Sequence, residues 1–158
     1  RAPFDAITCL GNVWPHLIDD EVVTSAIDAL HQLLRPGGAA IVGLKALAIQ
    51  RDENRPYMPL LKRERDGRSL FFVRFLDFDQ PKIDGVDVCR MHMTVLSGDE
   101  AADAAIEHHR SSMMRVWSPE DMKATFRGCF DQVSVSGSLG DPATAVTDEN
   151  IFVHAVRQ

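Results

Sequence analysis

An α/β fold is predicted: a parallel pair of buried strands joined through a helix, with a small antiparallel sheet inserted after it. Three features of the 158-residue sequence predict it. Two short, nearly continuous apolar runs, Phe4 to Leu10 and Ala39 to Leu44, suit strands covered on both faces. Between them the apolar residues recur at three- and four-residue spacing, which is helical. From about residue 70 to residue 116 the pattern changes to alternation, the two-residue period of half-buried strands.

The first run breaks at Gly11-Asn12, and a loop follows to Leu17. Val22, Val23, Ala26, Ile27, Leu30, Leu33 and Leu34 then share one face of a helix over about Asp20–Leu34. Arg35-Pro36-Gly37-Gly38 reads as the turn that ends it, because Pro36 cannot continue the ladder and glycine accepts the positive φ common past a helix end. Strand, helix and strand make a βαβ unit, whose two strands are parallel.

Ala46 to Gly67 is rich in Arg, Asp, Asn and Pro and reads as a long loop or lid with one helical turn. Lys62 to Arg68 alternates basic and acidic residues and reads as a solvated stretch of that loop. Leu70, Phe72, Arg74, Leu76 and Phe78 then alternate with Phe71, Val73, Phe75 and Asp77, and a second strand runs from Val86 to Val95. Pro81 to Gly85 is the turn between them. After the acidic linker Gly98 to Asp103, a third strand is expected from Glu107 or His108 to Val116. Trp117-Ser118-Pro119-Glu120-Asp121 opens a helix, and Gln132–Ser136 and Ile151–Val156 read as an antiparallel pair with residues 140–150 at its tip.

The combination of FDAITCLGN, a helix closing in LLRPGG and the strand AAIVGLK resembles the middle of class I S-adenosylmethionine-dependent methyltransferases, especially the glycine and sarcosine N-methyltransferase branch. The resemblance implies a partial Rossmann-like methyltransferase sheet, strands four to seven, built from residues 1–45 and 118–158. Residues 46–117 would then be an insertion on the substrate side. The cofactor loop and the ribose-binding acid of that family have no match, since Gly37-Gly38 follows a helix rather than preceding one. With Arg1 at its start and a strand within four residues, the chain reads as part of a longer protein.

Composition bounds the partners. The chain is 45% hydrophobic and 25% charged, enough for a core, and its net charge of −6 argues against binding that relies on neutralising phosphates of a nucleic acid. No apolar run approaches a membrane span. Cys9, Cys89 and Cys129 are odd in number and far apart, which predicts a reduced, cytoplasmic compartment.

Open α/β sheets bind ligands at the carboxyl ends of their strands, which points to the loop from Gly11 to Leu17. Methyl transfer is an in-line displacement governed by positioning and by dipoles around the charge being lost. Asn12 suits the orientation of an amine or carboxylate, or else an Asx turn; His16 suits a base or substrate contact, or else a cap on the next helix. With these two as catalytic candidates, the resemblance implies that Leu10, Gly11 and Trp14 border S-adenosylmethionine, with plain packing as the alternative for Trp14. Arg74 and Arg90 could each turn a guanidinium fork on a substrate carboxylate or face solvent. His108-His109 diverge and predict no metal site; His154 reads as a core or edge histidine, and Met91, Met93, Met113 and Met114 as core of the insertion.

Two functions follow as expectations. One is methyl transfer to a nitrogen or oxygen of a small-molecule acceptor, this chain supplying the acceptor side of the pocket. The other is a non-catalytic, degenerate or truncated methyltransferase acting as an assembly module. Phe4, Ile7 and Leu10 are apolar where an exposed edge would carry charge, so the first strand is expected to pair in a homo-oligomer or with a missing amino-terminal segment.

Overall fold

A computed structural model describes residues 3–98, 105–140, 144–146 and 149–158. The predicted strands β1 (Phe4–Cys9) and β2 (Leu34–Lys45) pair in parallel, and β7 (Gln132–Ser136) and β8 (Asn150–Val156) pair antiparallel in the same sheet. The order is β1-β2-β8-β7, which leaves β1 at one edge. Part of the expected 140–150 tip, and residues 99–103 of the acidic linker, lie outside the described residues.

Helix α1 (Asp20–Leu33) starts where Asp19 accepts the amides of Glu21 and Val22, at 2.8 and 3.0 Å. It ends differently from expectation. Leu34 is already extended, and Arg35 to Gly38 form an irregular stretch of β2 rather than a separate turn, Phe4 lying opposite Leu34 and Ala6 opposite Ala39. Gly38 is required there, because a Cβ would lie 2.9 to 3.1 Å from the carbonyl oxygens of Arg35, Phe4 and Asp5. The last carbonyls of α1 are met instead by Arg157, whose guanidinium donates to His31 O at 2.9 Å, to Gln32 O at 3.4 Å and to Leu34 O. A cation at a helix carboxyl end satisfies orphan acceptors and opposes the helix dipole. Arg157→Ala is therefore expected to lower the free energy of unfolding by about 1–2 kcal/mol in urea titrations.

Val23 and Ile27 of α1, with Met122 and Phe126 of α3 (Pro119–Arg127), bury one face of the main sheet. Helix α3 is capped as its sequence promises, Ser118 Oγ accepting the Asp121 amide at 3.0 Å with Pro119 in the first turn. Cys129 Sγ donates to Asp28 Oδ1 at 3.5 Å, so both helices lie on the same side. Alternation sends Thr8, Ile41, Phe152 and His154 to the other face, where Thr8 and His154 are exposed. His154 therefore stands on open sheet surface in the central strand β8, not in the core or at an edge.

The insertion forms one more strand than expected. Its sheet runs β3 (Leu61–Arg65), β4 (Arg68–Asp77), β5 (Val88–Gly98), β6 (Ala105–Arg115), all antiparallel, preceded by α2 (Leu47–Asp52). Lys62 to Arg65, read as a solvated loop, is an edge strand whose charges alternate across both faces. Its hairpin closes at Asp66-Gly67, with φ of 53° and 76°, the left-handed pair that a two-residue turn needs. Asp84-Gly85 repeats the geometry at 49° and 82° inside the predicted turn.

Leu47 and Ala48 pack with Leu76, Cys89, Met114 and Val116 in a second core. Burial, reinforced by the Asp77 carboxylate, pushes the Cys89 thiol up to about 12, so it is an inert apolar side chain here. The insertion docks on the main sheet through Arg115. Its guanidinium donates to Ile18 O at 3.3 Å, pairs with Asp20 and lies 3.7 Å from the centre of the Trp117 ring.

Candidate functional site

β1 ends in a left-handed pair, Gly11 at φ 83° and Asn12 at 64°, which turns the chain across the carboxyl ends of β1 and β2. Asparagine tolerates this conformation better than most residues. Its side chain then spans the two sheets. Asn12 Oδ1 accepts the Lys45 amide at 2.8 Å, while Nδ2 reaches Met114 Sδ of the insertion at 3.8 Å. A single turn of 3-10 helix, Trp14–His16, follows and leaves His16 exposed.

The turn borders a cleft of about 640 Å³ between the two sheets, a size that accepts a small molecule. Leu10, Gly11, Asn12 and His16 line its main-sheet side; Arg74, Met91 and Met93 line the insertion side. Gly43 opens the floor, because a Cβ there would come within 2.8 and 2.9 Å of Phe152 and Leu10 side-chain atoms. A second cavity of about 660 Å³ adjoins it and shares Lys45 and Met58. The cleft is mainly apolar with a few convergent polar groups, among them Asn12, His16, Lys45 and Arg74.

Five of the seven sequence candidates thus meet in one place, and two do not. Trp14 is buried against Phe126, ring centres 5.3 Å apart, in the main core, so it packs under the turn instead of bordering the cleft. Arg90 belongs to the opposite face of the insertion sheet, because it alternates with Met91 and Met93; its Nε bonds Gln80 Oε1 at 3.4 Å. Arg74 shares the face of Leu76, as the alternation predicts. Its Nη2 donates to Pro59 O at 3.2 Å, and its Nε is shielded without a hydrogen-bond partner among the described residues.

Sequence reasoning missed Lys45, Met58 and Phe152. Only the end of an apolar strand marked Lys45, and nothing local marked the others. His108 and His109 point to opposite faces of β6, His109 Nδ1 lying 2.9 Å from Thr94 Oγ1; among the described residues no group of three metal-ligating side chains converges. Nor is any helix of the described residues long and apolar enough to cross a membrane.

No family model matches the sequence, and no curated protein matches it. Solved structures do. A S-adenosylmethionine-dependent methyltransferase from Clostridium acetobutylicum superposes with a TM-score of 0.68 at 16% identity, over 98% of this chain and 58% of that one. CalS10, an amino pentose methyltransferase from Micromonospora echinaspora, gives 0.66 at 20% identity over 98% and 59%. The sugar N-methyltransferase KedS8 from Streptoalloteichus gives 0.67 at 18% identity over 99% and 57%. The chain has their fold. It spans less than three-fifths of the length of each of these three structures. The α/β assignment with a partial sheet and an antiparallel insertion therefore stands.

Proposed function

We propose that this chain is the acceptor-side part of an S-adenosylmethionine-dependent methyltransferase that modifies a nitrogen or oxygen of a small molecule. The observation that carries this reading is the cleft at the carboxyl ends of β1 and β2, roofed by the insertion sheet and tied to it by Asn12. The structural neighbours whose names specify amino pentose or sugar N-methylation support a small, polar acceptor.

The residues present fit one side of the cofactor. Leu10 exposes an apolar side chain, and a Cβ at Gly11 would meet nothing within 4 Å, so an adenosine could pack against this backbone. Among the described residues no carboxylate lines the cleft to receive ribose hydroxyls, and in this reading the rest of a larger protein takes that task. When bound, S-adenosylmethionine supplies an electrophilic methyl group. In this reading Asn12 orients the acceptor, and His16, whose ring makes no hydrogen bond among the described residues, takes the proton that the acceptor nitrogen or oxygen loses. The apolar wall of Met91 and Met93 excludes water from the reacting atoms.

The full-length parent, supplied with the cofactor and an amine- or hydroxyl-bearing small molecule, tests the reading by release of S-adenosylhomocysteine with methylated product. Absence of donor binding by that parent would overturn it. The 158-residue chain alone is expected to bind S-adenosylmethionine weakly or not at all. Calorimetry returning micromolar affinity for the isolated chain would contradict the division of labour between its two parts.

A second reading, an assembly module, draws on β1. Phe4, in this edge strand, is 48% exposed, and Leu10, just past it, 42%; among the described residues β1 pairs with β2 alone. Exposed apolar edges recruit further strands. We infer that this edge pairs with another copy or with an amino-terminal segment, so light scattering should give more than one copy for the isolated chain. A monodisperse monomer with β1 open to water would defeat the inference.

A further inference from the structure

The ring of His16 is placed by backbone alone. It makes no hydrogen bond among the described residues, so its position over the cleft depends on the 3-10 turn Trp14–His16 that carries it. From below, Trp14 anchors that turn in the main core against Phe126. On its other side lies β6, the edge strand of the insertion sheet. Met114 and Arg115, the last two residues of β6, point to opposite faces of the strand, and each takes one end of the loop. Met114 Sδ meets Asn12 Nδ2 at 3.8 Å, and Arg115 meets Ile18 and Asp20.

Arg115 is the stronger tie of the two. A thioether sulfur is a weak acceptor, whereas a guanidinium that bonds a carbonyl and a carboxylate at once is charge-assisted. The Arg115 side chain is 14% exposed, against 50% and 37% for Arg35 and Arg51 in their own ion pairs. Asp20 is 72% exposed, so water screens the ion pair and leaves it a small share of the hold. The rest is geometry. The guanidinium carbon lies 3.7 Å from the centre of the Trp117 ring, itself buried in the main core, and Nη1 reaches Ile18 O, two residues beyond His16. A helix start favours Asp20 for its dipole in any case, but it does not call for a shielded arginine on the facing strand.

We propose that Arg115 is a positioning residue for His16: it locks the loop from Asn12 to Asp20 to the edge of the insertion sheet, so that the base and the roof of the cleft keep a fixed register. The proposal rests on His16 taking the acceptor's proton in methyl transfer. Arg115 itself does not line the cleft. Its effect reaches the reacting atoms through the turn, as the placing of the His16 ring relative to Met91 and Met93, which β5 carries beside β6. A base must stand within hydrogen-bond reach of the proton it removes, so a shift of about 1 Å is enough to slow the reaction.

Hydrogen exchange of the full chain, followed by nuclear magnetic resonance, tests the lock without donor or acceptor. The amides of His16 and Leu17 close the turn, bonding Val13 O at 3.1 Å and Trp14 O at 3.0 Å. Arg115→Gln should speed their exchange about tenfold through local opening of the turn, and Arg115→Lys, which keeps the charge but not the plane, should speed it less. Arg157→Ala, which weakens the fold elsewhere, should leave both amides unchanged. Should Arg115→Gln fail to fold, Arg115→Lys decides. In the full-length parent, Arg115→Gln should lower kcat about tenfold with KM within about twofold, and it should have no further effect in a His16→Gln background. Four results overturn the proposal: unchanged exchange at both amides, equal acceleration by Arg157→Ala, a rise in KM alone, or a fall in kcat that adds to that of His16→Gln. A parent that binds no donor, with the exchange result intact, overturns methyl transfer and leaves the lock standing.

Discussion

Phe126→Ala is expected to lower the free energy of unfolding by about 3–5 kcal/mol, the usual cost of deleting a buried aromatic ring from a packed core. The ring has no solvent exposure and lies 5.3 Å from the Trp14 ring and 6.1 Å from that of Phe130. It therefore joins three things at once: helix α3, the 3-10 turn beneath the cleft, and the strands β2 and β8 on which both rest. Relaxation cannot easily refill such a site, since its neighbours are held by different elements. A domain with a total stability of about 5–15 kcal/mol would lose a large share of it. Urea denaturation followed by tryptophan fluorescence measures the change. A loss under about 1 kcal/mol would mean that the core repacks and that Trp14 is not held by this contact.

The second large effect is on rate. Asn12→Ala should slow methyl transfer by the full-length parent about a hundredfold, because a misplacement of roughly 1 Å in a positioning group costs that much. Three things fail together in that variant. The Lys45 amide loses its acceptor, the tie to Met114 is lost, and an alanine must hold a φ of 64°. Asn12→Gly separates the last from the others, since glycine accepts the backbone angle. Asn12→Asp restores an acceptor for Lys45 but not the donor towards Met114. Cys9→Ala, a half-buried change at the end of the preceding strand, should slow the reaction less. Equal slowing by Asn12→Ala and Cys9→Ala would assign Asn12 to the scaffold.

What the sequence disclosed followed the range of the forces involved. The βαβ unit, α3 and the last two strands were legible because apolar period and helix-opening residues act within a few positions, as the spacing from Val22 to Leu33 and the segment Trp117 to Asp121 do. Lys62 to Arg65 was not, because an edge strand carrying charge on both faces has the composition of a loop. The Asp66-Gly67 pair was the available signal there. The end of α1 was misread because its cap, Arg157, arrives from the far end of the chain. The same holds for the cleft. Asn12 and His16 were found from their place after a parallel strand, and Arg74 from alternation. Lys45 and Phe152 join them only when β8, from the far end of the chain, pairs with β2, a long-range event that no local pattern encodes.

The insertion leaves β2 after Lys45 and returns at Trp117, and between those points it carries its own buried cluster, rooted in Leu47, Ala48 and Val116. That arrangement makes it an exchangeable cassette. Descendants of such a protein could replace the span wholesale, reshaping one wall of the cleft while the sheet beneath kept its packing. Junction groups, Asn12, Ile18, Asp20 and the Trp117 ring among them, would have to stay compatible with each newcomer. Grafting residues 46–116 between structural neighbours is thus the route by which a laboratory, like a lineage, would recast the cleft of this scaffold.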